Sequence, residues 1–95
     1  FMVNVLSAAQ ERLARHFARS AKDKFQGIPF KAGLGDCPVL PESLAVIGCK
    51  RVRRMDAGDH VIFIGEVISF SQSEGRPLIF NSGRYHQLAP IQQFD

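Results

Sequence analysis

The residues with the most chemical capacity lie in one block, Gly58-Asp59-His60-Val61-Ile62-Phe63-Ile64-Gly65-Glu66-Val67. Histidine titrates near neutral pH, so His60 can give or take a proton there. Asp59 beside it can orient the ring. Asp56-Ala57-Gly58-Asp59 has the composition of a turn. Residues 61–64 with Val67 read as a buried β-strand, because β-branched and aromatic side chains dominate. His60 is therefore expected at the mouth of a strand, where a rigid scaffold can offer an imidazole to a ligand. Such a group can hydrogen-bond a carboxamide or a phosphate, or move a proton. The plainer alternative is a histidine that only hydrogen-bonds its own turn.

A second candidate group is Lys22-Asp23-Lys24-Phe25. A lysine beside an aromatic near a helix end can hold a phosphate and cover a ring. Equally, the segment can be an ordinary loop with Phe25 plugged into the core. Lys50, Arg51, Arg53 and Arg54 form a basic run. Without interleaved aromatics it is a weak sign of nucleic-acid binding, and no nucleic-acid partner is expected. Cys37 and Cys49 have neither zinc-like spacing nor a disulfide framework, so they read as two reduced thiols in a cytoplasmic protein. No metal-ligand cluster and no Ser/His/Asp arrangement stands out.

The chain must place these groups with little material. Its 95 residues suit one domain, and 45% hydrophobic residues indicate a folded chain. The formal charge of +3 suits an anionic ligand such as a nucleotide. No apolar run reaches the roughly 20 residues of a membrane helix, and no signal peptide is visible.

A strand is expected from the first residues, Phe1-Met2-Val3-Asn4-Val5-Leu6, so the chain reads as the later part of a longer domain. Ser7-Ala8-Ala9-Gln10 matches a capping box that opens a helix. Leu13, Ala14 and Phe17 form its apolar stripe, and Arg12, Arg15 and Arg19 a solvated face. Pro29, Pro38, Pro41, Gly33 and Gly35 mark residues 28–41 as a long irregular connection of the kind that borders ligand sites. Residues 44–52 and 60–71 read as two strands of an antiparallel hairpin. A short strand follows over 77–80, and Asn81-Ser82-Gly83 turns into Arg84-Tyr85-His86. The tail, 89–95, carries no pattern and is expected to fray or to dock on a partner. Mainly β, with one covering helix, this order implies an antiparallel barrel that four strands cannot close by themselves.

The order and spacing of Phe1-x-Val3-Asn4-Val5-Leu6, Gln10-x-x-Leu13-Ala14-x-x-Phe17-Ala18, Asp23-Lys24-Phe25, Cys49, Gly58-Asp59-His60-x-Ile62-x-x-Gly65-Glu66-Val67 and Pro77-Leu78-x-x-x-x-Gly83-x-Tyr85 resemble the C-terminal portion of the flavin reductase-like family. That resemblance implies an FMN-binding split barrel whose N-terminal strands precede this chain. It implies a homodimer that reduces FMN or FAD with NADH or NADPH, and a partner monooxygenase that receives the reduced flavin. Carried onto matching positions, it puts His60 beside flavin and nicotinamide, Lys24 and Phe25 near the flavin, and Gly83, Arg84 and Tyr85 at the dinucleotide site. Asp59 would orient His60. Hydride transfer between two cofactors needs orientation rather than a protein nucleophile or a metal. Two rival readings remain: a non-catalytic flavin- or haem-binding protein of the same fold, and a small basic β-barrel that binds nucleic acid.

Overall fold

β-Branched and aromatic residues favour extended backbone, and they build the two longest elements. β4 (Ala45–Ala57) and β5 (His60–Gln72) pair antiparallel as one long hairpin. A computed structural model describes residues 1–91. Residues 92–95, most of the tail expected to fray or dock, lie outside the described residues. Gly58 and Asp59 join the two strands, with φ +64° at Gly58. A glycine-first, two-residue loop of this kind matches the twist of the flanking strands. The turn is shorter than the expected 56–59, because Asp56 and Ala57 pair with Val61 and His60. Register shifts between Gly48 and Cys49 and between Arg51 and Arg53 bend the hairpin.

β1 (Met2–Val5) pairs antiparallel with the other edge of β4, giving the order β1-β4-β5. Ser7 then opens the helical segment. A 3-10 turn (Ala8–Gln10) leads into α1 (Glu11–Ala18), and the Ser7/Gln10 capping box forms. Gln10 Oε1 accepts the Ser7 backbone N–H at 2.8 Å, and Gln10 Nε2 donates to the Pro41 carbonyl at 2.8 Å. Leu13, Ala14 and Phe17 are half-buried, while Arg12, Arg15 and Arg19 are exposed, as the helical stripe predicts.

The connection over 28–41 is more regular than its prolines suggest. β2 (Lys31–Ala32) and β3 (Pro38–Val39) pair antiparallel around a 3-10 turn (Leu34–Asp36). Asn4 ties it to β1: its Nδ2 donates to the Pro38 carbonyl at 3.2 Å, and its Oδ1 accepts the Leu40 N–H at 2.9 Å. β6 (Ile79–Asn81) and β7 (Arg84–His86) form a second hairpin. Its loop, Ser82-Gly83, has φ +53° and +76°, the pair of positive values that a tight hairpin turn requires. The Ala8 N–H donates to the Arg76 carbonyl at 2.7 Å and the Leu78 N–H to the Leu6 carbonyl at 3.1 Å. These bonds stitch the hairpin to the start of the helical segment.

The core is small. Leu40 and Cys49 are its buried apolar residues, joined by buried Gln10 and Ser43. Cys49 therefore sits in a core strand, as expected. β5 departs from expectation. It reads as a buried strand, yet Phe63 is 51% exposed, Val67 59% and Phe70 59%. Paired with β4 alone, β5 is the sheet edge, and its apolar side chains stay about half exposed on both faces. Among the described residues the architecture is otherwise the expected one: mainly β, antiparallel, with one short α-helix and no closed barrel.

Candidate functional site

The end of α1 organises the first group of candidate residues. Asp23 Oδ1 accepts the Phe25 N–H at 3.0 Å, a side-chain turn that brings Phe25 back over the helix. Lys24 Nζ donates to the Phe17 carbonyl at 3.0 Å. That bond satisfies one of the carbonyls that a helix end leaves open and sets a cation at the negative end of the helix dipole. His16 Nε2 donates to the Lys24 carbonyl at 2.7 Å. A carbonyl only accepts, so Nε2 carries a proton. Phe17, Phe25 and Phe30 stand edge to face, with centroids 5.1 and 5.2 Å apart.

Phe25 packs into an aromatic row, yet it remains 37% exposed. It borders a groove of about 310 Å³ that Phe1, Met2, Cys37 and Leu40 also line. This lining is mostly apolar, with Asn4 as a polar member, and can take a flat ring. The Lys24 ammonium has donors beyond the one that it uses.

Asp59 and His60 occupy the far tip of the long hairpin. His60 Nδ1 and Asp59 Oδ1 are 2.5 Å apart, and the two side chains are 79% and 92% exposed. With Nδ1 held by the carboxylate, Nε2 is left for a ligand. From Gly48, where pairing with β1 ends, β4 advances about 30 Å to Ala57, at roughly 3.3 Å per residue. Among the described residues, no hydrogen bond or ring contact joins His60 to Lys24, Phe25 or Tyr85.

Gly83, Arg84 and Tyr85 belong to the small hairpin. Gly83 needs its positive φ for the loop. Arg84 pairs with Asn81 and is exposed. Tyr85 packs on Phe80 at 5.1 Å, and the Arg15 guanidinium lies 4.8 Å from its ring centroid. The structure thus gathers Lys24, Phe25 and Tyr85 around α1 and leaves Asp59 and His60 apart. The sequence reading missed the contribution of α1 itself: Arg15 on Tyr85, and His16 on the Lys24 backbone. The i, i+3, i+7 spacing of Arg12, Arg15 and Arg19 puts them on one helix face, but it does not signal either contact. Among the described residues, no three His, Cys, Asp or Glu side chains converge as metal ligands. No helix is long and apolar enough to cross a membrane.

The chain is similar to known proteins along nearly its whole length. The flavin reductase like domain matches residues 1–89. The chain is 36% identical over 85 residues to an FMN reductase (NADH) of Agrobacterium fabrum, covering 90% of this chain and 48% of that one. Nitrilotriacetate monooxygenase component B from Mycobacterium thermoresistibile superposes with a TM-score of 0.85 at 32% identity, over 100% of this chain and 57% of that one. An NADH:FAD oxidoreductase of Streptomyces globisporus, solved with NAD and FAD fragments, superposes with a TM-score of 0.85 at 34% identity, over 97% and 57%. The chain therefore spans about half the length of the relatives that it matches. These superpositions, and one with a TM-score of 0.87 on a flavin reductase domain protein from Arthrobacter, give the chain the fold of the split-barrel flavin reductases. With nearly the whole chain inside one domain match and with relatives above 30% identity, the chain belongs to the flavin reductase like domain family.

Proposed function

We propose that the protein carrying this chain is an NAD(P)H-dependent flavin reductase, with this chain as the later part of its domain. It takes FMN or FAD as flavin and NADH or NADPH as reductant, and passes reduced flavin to a partner monooxygenase. The observation that carries the reading is the likeness, over nearly the whole chain, to the oxidoreductase solved with NAD and FAD fragments. The likeness to a monooxygenase component supports the partner.

A bound nicotinamide supplies the hydride and a bound flavin accepts it. This chain's part is to bind and orient. Phe25 and the groove beside it offer an apolar wall to a ring. Lys24, anchored on the Phe17 carbonyl, presents its remaining donors to an anion. Asp59 fixes the His60 ring so that Nε2 can hold or release a proton beside the reacting pair. Gly83 and Arg84 bring backbone and charge close to the dinucleotide, and Tyr85 adds a ring and a hydroxyl. The exposed edge strand β5 supports a homodimer. The free thiols Cys37 and Cys49 support a cytoplasmic location.

The test is steady-state oxidation of NADH and NADPH by the complete protein, with and without FMN or FAD. Oxidation should require flavin. His60→Ala should lower turnover, or raise KM for the pyridine nucleotide, by about 10- to 150-fold, the worth of one hydrogen bond to a charged group lost in the transition state. Cys49→Ala, in the core strand, should lower the melting temperature and leave the kinetics near wild type. Bound flavin without NAD(P)H oxidation would make the protein a non-catalytic flavin binder and refute the proposal.

A further inference from the structure

We propose that the arginine-lined groove along α1 is a phosphate seat for the nucleotides of the reaction. It holds a phosphate of either the pyridine nucleotide or the flavin. The inference rests on the reductase reading and adds to it a site on residues that read as a mere solvated face.

Arg12, Arg15, His16 and Arg19 line a groove of about 540 Å³ whose apolar part comes from Ala9, Leu13 and Ile28. That volume lies within the roughly 300–1,000 Å³ of small-molecule sites. Residues 11–24 hold five Lys or Arg against two carboxylates, so this one segment carries the whole formal +3 of the chain. Of the three groove arginines only Arg15 is paired among the described residues, at 3.4 Å from Glu11, and Arg12 and Arg19 have no carboxylate partner there. The helix dipole accounts for cations at the C-terminal end of α1 but not for Arg12, which sits in its first turn at the positive end. Arg15 is held in place twice, by Glu11 and by the Tyr85 ring. The apolar groove beside Phe25 has no charged residue in its lining. A ring seated there needs its phosphate held elsewhere, and the arginine groove, which shares no lining residue with it, lies on another face of the helix that carries Phe17. Guanidinium groups suit this task because their fork matches phosphate oxygens. A concave, partly apolar lining favours a nucleotide over the flat acidic surface of a protein.

The experiment is equilibrium binding of NAD⁺, NADP⁺, FMN and riboflavin to the complete protein and to its Arg12→Gln/Arg19→Gln variant, at low and high salt. These side chains are exposed, so the variant should melt like wild type. It should bind at least one phosphate-bearing ligand about 10-fold more weakly, with a smaller salt dependence. Riboflavin, which has no phosphate, should be unaffected. Loss confined to FMN identifies the flavin phosphate, and loss on NADP⁺ or NAD⁺ identifies the pyridine nucleotide. Unchanged affinity for all four ligands overturns the proposal, and so does a defect seen only in flavin transfer to an acidic partner protein. Wild-type protein that binds none of the four instead refutes the reductase reading.

Discussion

Gln10 is the point where α1 is fastened to the rest of the chain, and its removal has a calculable cost. The residue is 5% exposed and makes two side-chain bonds at 2.8 Å, from the Ser7 N–H and to the Pro41 carbonyl. Gln10→Ala deletes both and leaves two backbone groups without their partners. At about 0.5–1.5 kcal/mol per net hydrogen bond, with an added penalty for unpaired buried groups, the loss is about 2–3 kcal/mol. In a domain of roughly 150–250 residues that lowers the melting temperature by roughly 4–12 °C. Gln10→Glu keeps the acceptor for Ser7 and loses the donor to Pro41, so its melting temperature should fall between the other two. Because α1 carries Phe17 and the carbonyl that anchors Lys24, Gln10→Ala should also raise the KM for flavin more than it lowers kcat. Thermal melts and flavin titrations of the three proteins decide the matter. A Gln10→Ala melting temperature within about 1 °C of wild type would refute the reasoning.

A Cβ on Gly65 would stand 2.5 Å from Phe1 Cζ and 2.9 Å from Cys49 Cβ. The Phe1 ring can swing away but the Cys49 Cβ cannot, so Gly65→Ala should cost about 1–3 kcal/mol, read as a lower denaturation midpoint with an unchanged slope. For assembly, the complete protein should sediment as a dimer at micromolar concentration, and Phe63→Lys with Phe70→Lys on β5 should shift it toward monomer. A wild-type monomer at that concentration would count against the role given to β5.

The parts legible in the sequence were those set by local physics. The capping box at Ser7, the stripe of Leu13 and Phe17 and the Gly58 turn each depend on residues within a few positions of one another, and each forms. The small elements were harder. β2 and β3 are two residues each and lie among prolines and glycines, so no period can develop. β7 has three residues, and only the paired positive φ values of Ser82 and Gly83 reveal that Asn81 and Arg84 face each other. Asp59 stands against His60 as adjacency suggested, whereas the stack of Arg15 on Tyr85 joins residues 70 positions apart, which no window can see.

β5 shows where composition and burial part company. Val61, Ile62, Phe63 and Ile64 are consecutive and apolar, so they point alternately to both faces of the sheet, and each is at least 40% exposed. Sequence reports that such a strand is suited to burial, not what buries it. The same strand carries His60 at its tip, with no contact to the aromatic row of Phe17, Phe25 and Phe30. A single flavin that met both the Phe25 wall and the His60 ring would need a further surface to lie against β5 and fold the site together. On this argument the exposed apolar faces and the isolated histidine share one physical cause. Activity should then depend on assembly, and dilution below the dimer dissociation constant should reduce turnover per chain even when flavin and NAD(P)H are saturating.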